Sequence, residues 1–328
     1  MSISNDHPFI SVLAPILGGL IAEKRGAGYH YGKESKDYAR FDQFCAARDH
    51  RDLALPRELV DAWTAKQSHE TESNRQRRLS LLRVLGQYMQ RYGYPAWVYP
   101  PRTLSAGAPR YVPYIFSSAE VAALWRVVDA CPSEVNAPYR GHVLPVLFRV
   151  LYGTGLRVSE ALALRATDVN RQAGTLHIRE AKLDKERRIP MHPVLAERVD
   201  RYLKTLALLA PSDGPLFPCQ TGDPYAVSTI YMYFRRFLWQ AGIPHQGRGR
   251  GPRLHDMRHT FAVHCLRQWV LEGVDLTVAL PYLSAYMGHV GLKSTQGYMR
   301  LTAELYPSVV RAVEQHFGSI IPSGGATP

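Results

Sequence analysis

Cysteine is scarce in this sequence: Cys45, Cys131, Cys219 and Cys265 are the only four in 328 residues, and they lie far apart. They form no CxxC pair and no Cys/His spacing that reads as a zinc site. A disulfide scaffold and a zinc ribbon are therefore excluded, and reduced core thiols are expected. Long apolar runs are missing as well, since nothing approaches the roughly 20 residues that a membrane-spanning helix requires. Residues 9–21 are largely apolar, but no Lys or Arg precedes them and Pro15-Ile-Leu-Gly-Gly interrupts the run. That pattern argues against a secretory signal and for a packed N-terminal helix at residues 8–25, in a soluble cytoplasmic protein. Carboxylates are in deficit, and no DxD or ExxxD grouping stands beside the cationic segments described below, so no metal site is expected. Internal repeats and low-complexity blocks are absent too.

Apolar residues and positive charge are what the sequence does supply. With 46% of 328 residues hydrophobic, the chain can bury a substantial core and is long enough for two domains. Lys and Arg outnumber Asp and Glu by 40 to 28, for a formal charge of +12. Residues 1–110 carry 16 of these cations against 11 acids, and residues 111–328 carry 24 against 17. Charge spread over both halves suits an extended polyanion such as nucleic acid better than a single basic tail would, though charge alone leaves other partners open.

From Glu34, the residues Tyr38, Phe41 and Cys45 recur at helical spacing, and from Glu72 so do Leu81, Leu85, Tyr88 and Tyr92. Residues 1–105 thus read as a small helical domain. Its second periodic helix also bears Arg75, Arg77, Arg78, Arg83 and Arg91, available either to solvent or to phosphates. Pro and Gly cluster over residues 94–109, which marks a linker before a second domain at 106–320 and a flexible tail at 321–328. Ser117-Ser-Ala-Glu has the form of a capping box opening a helix. Residues 143–152 read as a buried helix that ends at Gly153-Thr-Gly, and another helix follows over 156–165. Leu176 and Ile178 alternate with polar neighbours, and Arg187-Arg-Ile-Pro-Met resumes after Leu183-Asp-Lys-Glu, as in a two-stranded β-hairpin. Helical patterns return at 192–210, 225–241, 254–272 and 307–317, so the fold class is mainly α with a small β-sheet in the second domain.

Four short segments each place a cation or proton carrier beside a structural break. In Gly153-Thr-Gly-Leu-Arg157-Val-Ser-Glu160, Arg157 on a first helical turn is held by Glu160, and the same spacing suits an ordinary ion pair. Lys182 stands at the shoulder of the hairpin, where Lys185 competes for its role and a solubilising turn is the plainer reading. In Leu254-His255-Asp-Met-Arg258-His259-Thr-Phe, His255 and Arg258 project together from an apolar helix, an arrangement that is costly unless an anion meets it. His259 and His264, on the same helix, read more simply as core or surface residues. In Met287-Gly-His289-Val-Gly-Leu-Lys-Ser294-Thr-Gln-Gly-Tyr298, glycines mark a loop bearing His289, and Ser294 caps a helix presenting an exposed Tyr298 hydroxyl.

Around one phosphodiester these groups take separate roles. Arg157 and Arg258 would neutralise the non-bridging oxygens of a five-coordinate transition state, as metal ions do elsewhere. Tyr298, with a phenol pKa ordinarily near 10, would attack phosphorus, and needs cationic surroundings and a proton acceptor such as His255. Lys182 could protonate the departing sugar oxygen, and His289 could donate a hydrogen bond to the phosphate.

TGLRVSEAL, AKLDKERRIPM, LHDMRHTFA and MGHVGLKSTQGYM together resemble the signature segments of the tyrosine recombinase (phage-type integrase) family, in its order and with its approximate separations. The resemblance spans residues 112–305 as motif, and 30–100 more loosely as the family's helical core-binding domain. It implies a two-domain clamp over double-stranded DNA. Arg157, Lys182, His255, Arg258, His289 and Tyr298 form the implied catalytic set, with Glu160 as the supporting acid. It also implies cleavage without metal or nucleotide cofactor, a 3′-phosphotyrosyl link with a free 5′ hydroxyl, and strand exchange through a Holliday junction in a homotetramer. The basic run Gln246-Gly-Arg248-Gly-Arg250-Gly-Pro-Arg253 either tracks the DNA backbone or is a flexible loop. The apolar stripe Val309, Val310, Val313 and Phe317 docks on a neighbouring protomer, as the family implies, or packs on its own domain. A type IB-like topoisomerase and a non-cleaving DNA-binding regulator are the alternative readings.

Overall fold

A computed structural model describes residues 8–100, 112–179, 186–208, 213–245 and 251–288, together with Tyr298. The chain divides into two compact units, residues 1–110 and 111–328.

The first unit holds four helices among its described residues: α1 (Ala14–Gly26), α2 (Gly32–Ala47), α3 (Arg57–Thr64) and α4 (Glu72–Arg91). Pro15 does not interrupt α1. It sits in the first turn, where an N–H would have no intrahelical partner anyway and the fixed φ of proline suits the helix. Leu17, Leu20, Tyr38, Phe41, Leu82 and Leu85 close the core, and α2 and α4 each pack on every other helix of the unit. Asp42, fully buried on α2, anchors the chain ahead of α1 by accepting from the Ile10 N–H (2.5 Å), the Ser11 N–H (3.1 Å) and the Ser11 hydroxyl (2.5 Å).

Helix α3 was not expected from the sequence, because two turns are too short for periodicity to show. Leu59, Val60 and Trp63 bury it against the core. The α4 arginines secure its end: Arg75 donates to the Thr64 carbonyl (3.0 Å), and Arg78 donates to the carbonyls of Trp63 and Ala65 while pairing with Glu70. Cations are favourable at a helix C-terminus, where carbonyl dipoles leave partial negative charge. Arg77 pairs with Asp37 (3.1 Å), Arg83 donates to the carbonyls of Tyr99 (2.8 Å) and Pro100 (2.9 Å), and Arg91 pairs with Glu23. Each arginine of the α4 series therefore has a partner within its own unit.

The second unit opens with α5 (Ser118–Asp129), started by the capping box of Ser117 and Glu120. Helix α6 (Arg140–Thr154) is its buried spine and packs against α5, α8 (Pro193–Leu206) and α10 (Asp256–Leu271). Between α7 (Val158–Ala163) and α8 lies an antiparallel sheet of β1 (Val169–Asn170), β2 (Thr175–Ile178) and β3 (Arg187–Pro190), in that order. The expected hairpin is β2–β3, with buried Leu176 and Ile189 in register. The additional strand, β1, is two residues long and so shows no alternation in sequence. Lys182 and Lys185, which fall between β2 and β3, lie outside the described residues. Helices α9 (Val227–Gln240) and α11 (Leu276–Met287) complete the unit. Helix α11 was not expected from the sequence, where its interior Pro281 looks like a breaker; Asp275 caps it through the Thr277 N–H (2.8 Å). Among the described residues, no helix is long and apolar enough to cross a membrane.

Candidate active site

Helix α6 ends on Gly155 in the left-handed conformation (φ 60°), and the chain restarts as α7 three residues later, at Val158. Arg157 therefore lies just outside α7 as its N-cap, not on the first turn as expected. Its tie to Glu160 is nevertheless intimate, because the Glu160 carboxylate accepts from both the Arg157 backbone N–H (3.0 Å) and its guanidinium (2.7 Å). Glu160 is buried, with a side chain only 3% exposed, and a second cation meets it: Arg187 of β3 donates to Oε2 (3.0 Å), the oxygen that also accepts the Arg157 N–H. Burial acts to raise the Glu160 carboxyl, but hydrogen bonds from Arg187 and from the Arg157 backbone outweigh it and hold the group below the ordinary carboxylate range. Sequence reasoning missed Arg187. The available signal was strand alternation, which puts Arg187 on the same face as buried Ile189 and turns Arg188 outward.

Arg258 is 2% exposed on α10, and among the described residues no carboxylate forms an ion pair with it. Its charge is met instead by two helix ends, with Nη1 donating to the Gly155 carbonyl at the end of α6 (2.6 Å) and Nη2 to the Met287 carbonyl at the end of α11 (2.7 Å). Glycines at both C-caps allow this. Gly155 and Gly288 have positive φ, and a Cβ at Gly155 would come within 2.5 Å of the Phe261 ring. Burial and the neighbouring Arg157 pull the Arg258 guanidinium down to about 10, still cationic at neutral pH.

Tyr298 lies close enough to this cation for its charge to act on the phenol, and the ring packs in a cluster with Ala262, Val263, Leu266, Leu283 and Met287. The side chain is thus buried, 5% exposed, where the sequence suggested an exposed hydroxyl; the apolar face of α10 and the end of α11 enclose it. Burial raises the phenol above its usual pKa, and Arg258 and Arg157 offset this only in part. His259, expected to be a bystander, has its ring 5.4 Å from that of Tyr298 and 4.9 Å from that of His255.

His255 immediately precedes α10 and is exposed to solvent. Partial desolvation by the surrounding protein, then the charges of Arg258 and Arg157, push its pKa below the ordinary imidazole range. A neutral ring at neutral pH can accept a proton. The unfolded chain binds this proton more tightly than the folded one, so protonating His255 removes stability as pH falls from about 6.5 toward the lower folded value. A histidine NMR titration of the free protein should accordingly place the His255 midpoint well below ~6.5, and an ordinary midpoint would contradict the cationic setting.

The structure therefore brings together Arg157, Glu160, His255, Arg258 and Tyr298, and adds Arg187. Arg253 is exposed beside Tyr231, Arg235 and His245 in a surface cleft. Lys182, Arg248, Arg250, His289 and the stripe of Val309, Val310, Val313 and Phe317 lie outside the described residues.

Comparison with known proteins identifies the family. Residues 121–304 match the phage integrase family. The chain is 31% identical over 302 residues to y4rB of Sinorhizobium fredii, a protein named as an integrase/recombinase, covering 90% of this chain and 95% of that one. It is 29% identical over 304 residues to the tyrosine recombinase XerC of Rhodospirillum centenum, covering 89% of this chain and 83% of the relative. In fold it is similar to the Tn1549 transposon integrase solved with transposon right end DNA, with a TM-score of 0.60 at 16% identity over 92% of this chain and 99% of that one. With the match spanning both guanidinium-bearing segments and Tyr298, the chain belongs to the phage integrase family of tyrosine recombinases.

Proposed function

We propose that this chain is a site-specific DNA recombinase, acting in the cytoplasm on nucleoid DNA, that cuts and rejoins strands through a 3′-phosphotyrosyl link to Tyr298. The observation that carries the reading is that the charges of Arg157 and Arg258, from segments about a hundred residues apart in sequence, both act on the Tyr298 phenol and on the His255 imidazole. On this reading Tyr298 attacks the phosphodiester, the bond to the 5′ oxygen breaks, and that oxygen leaves as a hydroxyl. Arg157 and Arg258 stabilise the charge gathering on the non-bridging oxygens. Both guanidiniums are locked by their own hydrogen bonds, so little reorganisation accompanies the reaction. His255 takes the phenol proton, Lys182 protonates the leaving oxygen, and His289 donates to the phosphate. Glu160 positions Arg157.

Residues 1–105 serve as the core-binding domain and residues 106–320 as the catalytic domain. Strand exchange proceeds through a Holliday junction in a homotetramer on paired duplex sites. Arg248, Arg250 and Arg253 lie along the DNA backbone, whereas Arg75, Arg77, Arg78 and Arg83 act first by holding their own unit together.

The test is a nicked duplex drawn from DNA flanking the protein's own gene, on which cleavage traps the enzyme as a denaturant-resistant covalent adduct. Adduct formation should be undiminished in EDTA; a strict Mg²⁺ requirement would overturn the arginine-based mechanism. Relaxation of supercoiled plasmid with no products joining two sites would point instead to a type IB-like topoisomerase.

A further inference from the structure

The last three carbonyls of the α11 terminus are each taken by a different arginine. Arg187 Nε donates to Tyr286 (3.1 Å), Arg258 Nη2 to Met287 (2.7 Å) and, at longer range, Arg157 Nη2 to Gly288 (3.5 Å). A helix C-terminus carries partial negative charge and unpaired acceptors, so it is a natural scaffold for guanidinium groups that would otherwise repel one another. Two of these arginines belong to the proposed catalytic set. The third does not.

Arg187 is 12% exposed, and it joins three elements. From β3 it bridges to Glu160 of α7 through Nη2 (3.0 Å) and Nη1 (3.4 Å), and to the end of α11 through Nε. It also fills the space over Gly288, where a Cβ would fall 2.7 Å from its Cζ. The Tyr286 hydroxyl donates to the Pro190 carbonyl (2.8 Å), fastening α11 to β3 beside the same guanidinium. Glu160 has little solvent around it, so its two oxygens are oriented by the cations that flank it, and moving one cation moves the carboxylate against the other.

We infer that Arg187 is a positioning residue for strand cleavage: through Glu160 and the α11 terminus it sets where Arg157 and Arg258 present their guanidiniums. The inference rests on the recombinase reading above. Arg187 itself is directed at Glu160 and Tyr286, so its effect passes through the other two arginines. A lysine cannot replace it, because a single ammonium cannot span the Glu160 carboxylate and the Tyr286 carbonyl with fork geometry.

The experiment uses the full chain, the nicked duplex and single-turnover formation of the covalent adduct, with DNA affinity and thermal unfolding measured alongside. Arg187→Met should slow adduct formation roughly 10–100-fold, the range seen when a supporting group behind a reactive centre is lost. DNA affinity should change by less than about threefold, since the removed group faces protein and not phosphate. In combination with Glu160→Gln, the double variant should be about as slow as the slower single variant, because both changes break one network. An adduct rate within about threefold of the unaltered chain, or effects that multiply in the double variant, would show that Arg187 does not act through Glu160. Should Arg187→Met fail to fold, Arg187→Lys carries the test: a roughly tenfold slowing supports the inference and an unchanged rate overturns it. If the unaltered chain forms no adduct at all, it is the recombinase reading that fails. An adduct formed equally well without Arg187 rejects this inference alone.

Discussion

Tyr298→Phe is expected to abolish the covalent protein–DNA adduct while leaving the fold and DNA binding nearly intact. Phenylalanine keeps the ring among Ala262, Val263, Leu266, Leu283 and Met287, so the packing that encloses it is preserved. What is lost is one oxygen, on which the charges of Arg258 and Arg157 act. The loss should reach the limit of detection, a factor of at least ~10⁴ for removal of a nucleophile. The measurement is denaturing gel electrophoresis of the protein with the nicked duplex, with a mobility-shift assay in parallel. Persistence of the adduct in the Phe variant would mean that another residue attacks. Because the phenol is buried with its pKa raised, attack requires the ring to meet phosphate while the arginine charges remain close. A mildly alkaline rise in single-turnover rate accords with that.

Arg258→Ala should slow cleavage by about 10²–10³ or more, the cost of losing one preorganised electrostatic contact in a water-poor site. Two further consequences distinguish Arg258 from an ordinary catalytic cation. Its guanidinium is the donor to the Gly155 and Met287 carbonyls at the ends of α6 and α11, so the alanine variant strands buried acceptors at both helix termini. Each costs about 1–3 kcal/mol, and a lowered unfolding midpoint should accompany the lost activity. Arg258→Lys keeps a positive charge but not the planar fork, and cannot hold both carbonyls at once; its cleavage rate should lie closer to the alanine variant than to the unaltered chain. Single-turnover adduct formation below each variant's unfolding temperature is the appropriate readout. Near-normal cleavage by Arg258→Ala would remove this residue from the mechanism.

The His255 titration complements these experiments because it reads the same cations without DNA. Arg258 and Arg157 both act on that imidazole, so removing either should let its midpoint climb back toward the ordinary value.

Much of this arrangement was already legible in residue order, and the reason is locality. The Ser117–Glu120 capping box, the break at Gly155 and the Arg157–Glu160 tie all close within three residues or at a single backbone position, so short motifs carry them. The identity of the reacting groups was also legible, since phenol, guanidinium and imidazole are set by side-chain chemistry and not by neighbours. The environment of those groups came only with the folded chain. Arg187 reaches Glu160 across 27 positions, Arg258 reaches Gly155 across 103, and Arg157 reaches Gly288 across 131. The α4 arginines, which by pattern were available to phosphates, are occupied by α3 carbonyls and nearby carboxylates, and Tyr298 is enclosed where an open hydroxyl was expected. Periodicity ranks which face of a helix turns inward, but burial and long-range hydrogen bonds depend on what the opposing elements bring. Chemistry was thus inherent in the order of residues, while charge balance and solvent access were settled by packing between distant segments.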